Sequence, residues 1–294
     1  MATLSQWVEG ARPRTLPAAV APVLVGTGAA YALDRADSAL ALLALLVSLA
    51  LQIGVNYAND YSDGIRGTDQ ERVGPVRLVG QGLARADNVK LAAMLFFACA
   101  ALFGLALVAL SGAFVMLLVG AASIAAAWYY TGGKKPYGYS GLGELFVFVF
   151  FGLVATLGTT YTQAGTVSAA SIAGAVGVGA IASAILVANN LRDIPSDTSH
   201  GKGTLAVRLG ATRTRDLYTL LLTVALACVL IAGVIHLSAL IALLSFALAL
   251  PLVRRVMGGA VGRDLIPVLS GTGRFELVYA VLLAIGLGAA HHLG

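Results

Sequence analysis

Charged side chains are scarce in this sequence. They make up 11% of its 294 residues, against about 25% in an average soluble domain. With 59% hydrophobic residues and a mean hydropathy of +0.87, that scarcity excludes a soluble enzyme and leaves an integral membrane protein. Cysteine is nearly absent: Cys99 and Cys228 each sit in an apolar run. No Cys-x-x-Cys or His-x-x-x-His spacing occurs, so zinc, haem and dithiol chemistry lack ligands. A phosphate-binding loop is missing too, because Gly132-Gly133-Lys134-Lys135 lacks the Gly-Lys-Ser/Thr of such loops. Met1 to Leu16 lacks the basic, apolar and small-residue order of a cleaved signal. The first spanning segment is therefore expected to act as its own insertion signal.

What is abundant is apolar sequence in runs of bilayer length, about 20 residues each. Nine runs qualify, at 15–33, 39–58, 89–110, 113–130, 142–161, 169–191, 216–235, 238–256 and 275–292. The fold class expected is an all-α membrane protein, a bundle of nine transmembrane helices. With that alternation, 18 of the 19 Lys and Arg fall on one side and only Arg35 on the other. The positive-inside rule then places the N-terminus and the basic segments in the cytoplasm and the C-terminus outside the plasma membrane. A net charge of +5 concentrated there is topogenic or anion-binding, which argues against nucleic acid as a partner. Segments 12–135 and 136–256 read as two four-helix halves, with a ninth helix added, inside one membrane-embedded domain spanning 1–294. Both halves begin on the same side, so the repeats are parallel, which weakens an alternating-access transporter. The polar segments Asn59–Asn88 and Asp193–Arg215 are expected to be long, ordered cytoplasmic cap loops.

Two clusters carry the chemistry. Asn56-Tyr57-Ala58-Asn59-Asp60-Tyr61-Ser62-Asp63-Gly64 closes the second run, and Asn189-Asn190-Leu191-Arg192-Asp193-Ile194-Pro195-Ser196-Asp197 closes the sixth. Asn56 and Asp60 are four apart, as are Asn189 and Asp193, so each pair shares a helix face. Carboxylates and amides without His or Cys suit Mg²⁺, which takes one or two carboxylates and completes its shell with water and phosphate oxygens. The competing reading makes them capping and loop residues where helices leave the bilayer. Arg77, Lys202, Arg208 and either Lys134 or Lys135 could neutralise a diphosphate held by the metal. A helix bundle open to membrane lipid could take an apolar chain behind that head group. The ligand so described is an isoprenoid diphosphate. Departure of diphosphate would leave an allylic cation facing Tyr57, Tyr61, Tyr129, Tyr130, Tyr137 or Tyr139; alternatively these tyrosines form the interfacial belt. Pro195 either ends the sixth helix near Asp193 or lies in a kinked continuation, the second being preferred. A divalent-cation or polyanion transporter is the reading from a different class.

The motifs resemble those of the UbiA superfamily of intramembrane prenyltransferases. Asn56-x-x-Asn59-Asp60-x-x-Asp63-Gly, with Gly67-Thr68-Asp69, is similar to its first aspartate-rich motif. Asn190-x-x-Asp193-x-x-x-Asp197, with Gly201-Lys202-x-Thr204 and Arg208-Leu-Gly210, is similar to the second. The opening Arg12-Pro13-Arg14-Thr15-Leu16-Pro17 and the segment from Tyr130 through Pro136 to Gly143-Glu144 extend the resemblance over nearly the whole chain. Within the superfamily the chain looks most like the 1,4-dihydroxy-2-naphthoate polyprenyltransferases of menaquinone synthesis. The resemblance implies Mg²⁺, as more than one ion, on Asn56, Asp60, Asp63, Asp69, Asp193 and Asp197, with Asp60, Asp63, Asp193 and Asp197 catalytic. It implies diphosphate or substrate binding by Asn56, Asn59, Arg77, Lys134, Tyr137, Asn189, Asn190 and Lys202. The first cluster runs Asp-x-x-Asp where Asp-x-x-x-Asp is common elsewhere in the superfamily, which leaves the role of Asp63 open. The implied reaction joins a polyprenyl diphosphate to 1,4-dihydroxy-2-naphthoate, releasing CO₂ and diphosphate; another acceptor such as 4-hydroxybenzoate is the alternative.

Overall fold

In a bilayer an apolar segment satisfies its backbone polar groups internally by coiling into a helix, and every regular element among the described residues is helical. The computed structural model describes residues 2–67 and 76–293, with side chains through Ala290.

A capping box between Thr3 and Gln6 opens α1 (Leu4–Gly10). The N-terminal segment bends by 48° into α2 (Pro17–Ala32). Asp37 then caps α3 (Ser38–Ile65), accepting from the Ala39 and Leu40 N–H groups at 2.8 and 2.9 Å. The helices α4 (Ala86–Ser111) and α5 (Met116–Tyr129) follow. Next comes one rod made of α6 (Gly143–Val147), a π-helical stretch (Phe148–Val154) and α7 (Ala155–Ala164). The central helix α8 (Ala169–Ser199) leads to α9 (Leu205–Ile235). A 3₁₀ stretch (Leu237–Ser245) continues as α10 (Phe246–Met257), and α11 (Ile266–Leu293) closes the bundle.

Among the described residues, seven helices are long and apolar enough to cross a membrane, and the bent N-terminal pair makes an eighth if taken as one span. The run at 113–130 contributes only α5, with 14 residues. At 1.5 Å per residue such a helix is about 21 Å long, short of a hydrocarbon core of about 30 Å.

The second polar segment differs from its expectation as a long loop. The helix α8 continues through Pro195 to Ser199, and α9 already begins at Leu205. The turn between them is closed by the Lys202 N–H on the Asp197 carbonyl at 2.8 Å and by Gly201 at φ 69°. Thr204 caps α9 through the Val207 N–H at 3.4 Å. What breaks regularity is Gly210, at φ 75° and ψ 168°, which kinks α9 near its start; only glycine adopts such an angle without strain. On the first side, α3 likewise runs past Asn59 to Ile65. Both clusters therefore lie on helices rather than in loops.

Packing around α8 depends on small residues that let backbones approach. A Cβ on Gly152, in the π-helical stretch, would lie 2.5 Å from the Gly179 Cα. One on Gly28 would lie 2.6 Å from the Ala284 Cα, where α2 meets α11.

Candidate functional site

On α3 the helical spacing holds: Asn56, Asp60 and Asp63 are all buried and Asn59 partly so. Asn56 donates from Nδ2 to the Ala11 carbonyl at 2.9 Å and to Thr15 Oγ1 at 3.0 Å. Gln52, one turn earlier on the same face, donates to the same Thr15 oxygen at 2.8 Å. Asn59 Oδ1 accepts from Thr131 at 2.8 Å. Asp60 accepts the backbone N–H groups of Leu78 at 2.7 Å and Val79 at 3.1 Å, so it also anchors the returning chain. Arg77, immediately before that anchor, is buried. Asp69 lies outside the described residues.

On α8, Arg192 grips Asp193 with two nitrogens, Nε at 2.6 Å and Nη2 at 2.8 Å, the bidentate geometry of strong ion pairs. The same Nη2 donates to Asn189 Oδ1 at 2.9 Å, and Asn189 reaches Asp193 at 3.4 Å. Asn190 donates to Glu144 Oε1 at 2.9 Å. Asp197 is buried and takes a long bond from Thr204 at 3.5 Å.

The two clusters are joined by Lys202. Its ammonium comes from the turn after α8, lies 3.3 Å from Asp63 Oδ1 on α3, and is itself buried. Tyr139 completes the joint: its hydroxyl donates to the same Asp63 oxygen, and its ring lies 4.5 Å below the Lys202 nitrogen. The Arg66 guanidinium covers the same ring at 5.4 Å and donates to the Thr131 and Gly133 carbonyls. Burial, reinforced by the Asp63 charge, pushes the Tyr139 phenol above its ordinary pKa, so it acts as a neutral donor.

Lys134 and Lys135 are both exposed on the turn after Gly133, apart from this joint. Arg208 donates to the Gly203 carbonyl at 3.0 Å and so braces the Lys202 turn. Tyr57 donates to the Trp7 carbonyl at 2.8 Å, Tyr61 stacks on Trp128, and Tyr129 is exposed. Tyr130 and Tyr137 instead face a cavity of about 490 Å³. Tyr137 stacks on Phe146 with centroids 3.9 Å apart, and its hydroxyl donates to the Ala126 carbonyl at 2.7 Å. Burial raises its phenol pKa.

That cavity starts at Asn56 and Asn59 and is mostly apolar beyond them, with Gln52, Ser48, Ser123, Thr159 and Thr162 as its further polar lining. On α3 its wall extends from Asn59 to Ala44, about 22 Å of helix at 1.5 Å per residue. A charged head at Asp60 and Asp63 would thus have an apolar channel opening one turn below it.

Among the described residues, no three His, Cys, Asp or Glu groups converge closely enough to enclose a metal. The buried donors are hard oxygens on two helices, α3 and α8, linked through Lys202, not a closed cage. That set fits Mg²⁺, which binds through one or two carboxylates and leaves positions for phosphate oxygens.

Sequence reasoning did not assign site roles to Gln52, Thr15, Thr131, Arg66, Glu144 and Arg192. Gln52 was signalled by its position four before Asn56, and Arg192 by lying between Asn189 and Asp193. Thr131, Arg66 and Glu144 reach the clusters only through tertiary packing, which no local spacing reports.

Comparison with known proteins shows the family. The model of the UbiA prenyltransferase family matches residues 19–264. A 1,4-dihydroxy-2-naphthoate octaprenyltransferase of Mycobacterium tuberculosis (strain ATCC 25618 / H37Rv) is 56% identical over 284 residues, 97% of each chain. One of Escherichia coli (strain K12) is 40% identical over 96% of this chain and 94% of its own. Among solved structures, a UbiA homolog from Archaeoglobus fulgidus bound to GPP and Mg²⁺ superposes with a TM-score of 0.71 over 97% of this chain and 99% of that one, at 14% identity. The fold is shared across that distance, and the sequence relationship is close enough to settle kinship: this multi-pass membrane protein belongs to the UbiA prenyltransferase family.

Proposed function

We propose that this chain transfers a polyprenyl group from an allylic polyprenyl diphosphate to 1,4-dihydroxy-2-naphthoate, the prenylation step of menaquinone biosynthesis. The observation that carries the reading is the buried Lys202–Asp63 pair, 3.3 Å apart, which ties the two acidic motifs together beside an apolar cavity. Curated relatives named for this activity at 40–56% identity support the choice of acceptor.

Asn56, Asp60 and Asp63 on α3, with Asp193 and Asp197 on α8, would hold Mg²⁺, and Asn189 would help to bind the diphosphate. When bound, the metal neutralises the diphosphate and makes it a better leaving group. Lys202 supplies the positive charge nearest the joint and takes up the leaving charge by a charge-assisted hydrogen bond. Arg77, buried at the returning segment, adds to it. The carbon–oxygen bond of the donor breaks with its electron pair going to diphosphate. The aromatic wall of Tyr130, Tyr137 and Phe146 faces the allylic cation so formed. The acceptor carbon bearing the carboxylate attacks that cation, forming the carbon–carbon bond. Loss of CO₂ returns an electron pair to the ring and leaves the reduced form of demethylmenaquinone. The apolar cavity holds the chain and keeps water from quenching the cation.

The same reading takes the chain as one domain of nine spanning helices in two parallel halves, with α5 completing the count. Charge asymmetry supports a cytoplasmic N-terminus and catalytic face in the plasma membrane, with the C-terminus outside.

The test is transfer from a radiolabelled prenyl diphosphate by the purified protein in lipid nanodiscs, with Mg²⁺ and either naphthoate or 4-hydroxybenzoate. Labelled lipid-soluble product is expected with naphthoate, and its loss in Asp60→Asn and Asp193→Asn. Product with 4-hydroxybenzoate alone would overturn the acceptor assignment. Unchanged transfer in both variants would overturn the site.

A further inference from the structure

The main cavity has a neighbour. A second apolar hollow of about 480 Å³, a groove open on the surface of the bundle, lies beside the start of α5 and along α7, lined by Val115, Leu153, Leu157, Tyr161 and Val167. Four residues belong to both walls: Met116, Val119, Val154 and Gly158. The partition is thin. A Cβ on Gly158 would meet only the Met116 sulfur, 3.8 Å away, and the Met116 thioether is the most adaptable of apolar side chains. None of the residues of α5 is buried, so this helix lines hollow space on one side without sealing it. The π-helical stretch Phe148–Val154 supplies the opposite wall.

The two cavities lie in sequence along the bundle. The first begins at Asn59 and Tyr130, beside the acidic motifs, and reaches Leu107 and Met116 at the far end. The second starts at Met116 and continues past Tyr161 to Val167, in the turn before α8. A volume of about 490 Å³ is the size that holds one drug-sized ligand, about 300–1,000 Å³. A prenyl donor of many isoprene units, sharing that space with an aromatic acceptor, must send its tail elsewhere.

We infer that the gap between Met116 and Gly158 is a passage through which the distal end of a long prenyl chain leaves the main cavity for the second one, between α5 and α7. The inference rests on the prenyl-transfer reading and adds the residues that set how long a donor is used well. Gly158 leaves the passage open, and Met116 moves to line the chain.

The experiment compares a long donor, octaprenyl diphosphate, with a short one, farnesyl diphosphate, in nanodiscs. In Gly158→Phe the ratio of kcat/KM for the long donor to that for the short one is expected to fall at least tenfold. Met116→Phe narrows the same gap from α5, adds no Cβ at a glycine, and is expected to shift the ratio in the same direction; it serves if Gly158→Phe elutes as aggregate. A terminal diazirine on the long donor should label Leu157 or Tyr161 in the unaltered protein, as read by mass spectrometry of its peptides. A ratio within twofold of the unaltered protein in the folded variants, or label confined to residues outside the second cavity, would overturn the passage. Failure of the unaltered protein to use either donor would instead strike the prenyl-transfer reading.

Discussion

Replacing Lys202 with methionine separates the two tasks this side chain performs. The ammonium is buried, 3.3 Å from Asp63 and 4.5 Å above the Tyr139 ring. Methionine keeps most of the stem volume and removes the charge. Truncating one member of a buried ion pair costs about 3–5 kcal/mol because the partner stays charged and buried. Asp63 keeps the bond from Tyr139, which places the expected loss at the lower end, about 3 kcal/mol. For catalysis, a hydrogen bond to a charged group contributes about 1.5–3 kcal/mol. If that bond forms to the leaving diphosphate, kcat/KM falls roughly 10- to 150-fold at 1.4 kcal/mol per decade. The double variant Asp63→Asn/Lys202→Met removes the stranded charge as well. Its melting temperature in detergent should therefore recover most of the loss, whereas its kcat/KM should stay as low as that of the single variant or lower. Activity within threefold of the unaltered protein in Lys202→Met would refute the diphosphate role. A double variant no more stable than the single one would refute the pairing.

Tyr139→Phe deletes the hydroxyl bond to Asp63 but keeps the ring beneath Lys202, so it should raise the KM for prenyl diphosphate severalfold. Tyr139→Ala should be worse by a further factor of about 5–30, the worth of a cation–π contact of about 1–2 kcal/mol; equal effects would mean the ring is idle. Glu144→Gln keeps an oxygen for the Asn190 amide and should retain most activity, while Glu144→Ala frees Asn190 and should lose it; steady-state kinetics showing Glu144→Gln as low as Glu144→Ala would make the carboxyl a proton carrier instead. Gly152→Leu drives a side chain into the Gly179 backbone. Overpacking of this kind costs about 1–3 kcal/mol or more, and an unchanged melting temperature would show that the helices can separate freely. Chelation by EDTA should abolish diphosphate release and added Mg²⁺ should restore it, so full turnover in EDTA would remove metal from the mechanism.

Much of this was legible in the order of residues because the signals are local. Apolar runs mark helices, and the four-residue spacing of Asn56 to Asp60 and Asn189 to Asp193 puts each pair on one face whatever the rest of the chain does. What escaped depends on where chain ends meet. Sequence read Asp193–Arg215 as a long cap loop while preferring a helix continued past Pro195; α8 does continue to Ser199, held at its end by the Lys202 turn, and α9 begins by Leu205, so the long loop is absent. Asp60 reads as a metal ligand, and the structure gives it two backbone amides of a segment 18 and 19 residues later. Lys134 and Tyr139 lie five residues apart, and spacing could not say that the tyrosine turns inward to Asp63 while the lysine is exposed.

The π-helical stretch at Phe148–Val154 carries a consequence for how this chain can vary. A π-bulge is one residue more than an α-helix needs over the same length, and each residue of an α-helix turns its successor by about 100°. Removing one codon from this stretch would therefore leave ordinary α-helix joining α6 to α7, with α7 facing much as it does now. Removing one from α7 ahead of Gly158 would instead turn everything beyond it by about 100°: Gly158 would leave the wall opposite Met116, and Thr160, which now donates to the Gly26 carbonyl on α2 at 3.0 Å, would leave that partner. The π stretch can thus absorb the loss of one residue, whereas a length change in α7 acts as a rotation of a whole cavity wall. Length changes in α7 should be far less tolerated than the loss of one residue from the π stretch or point substitutions on the lipid-facing side of the rod.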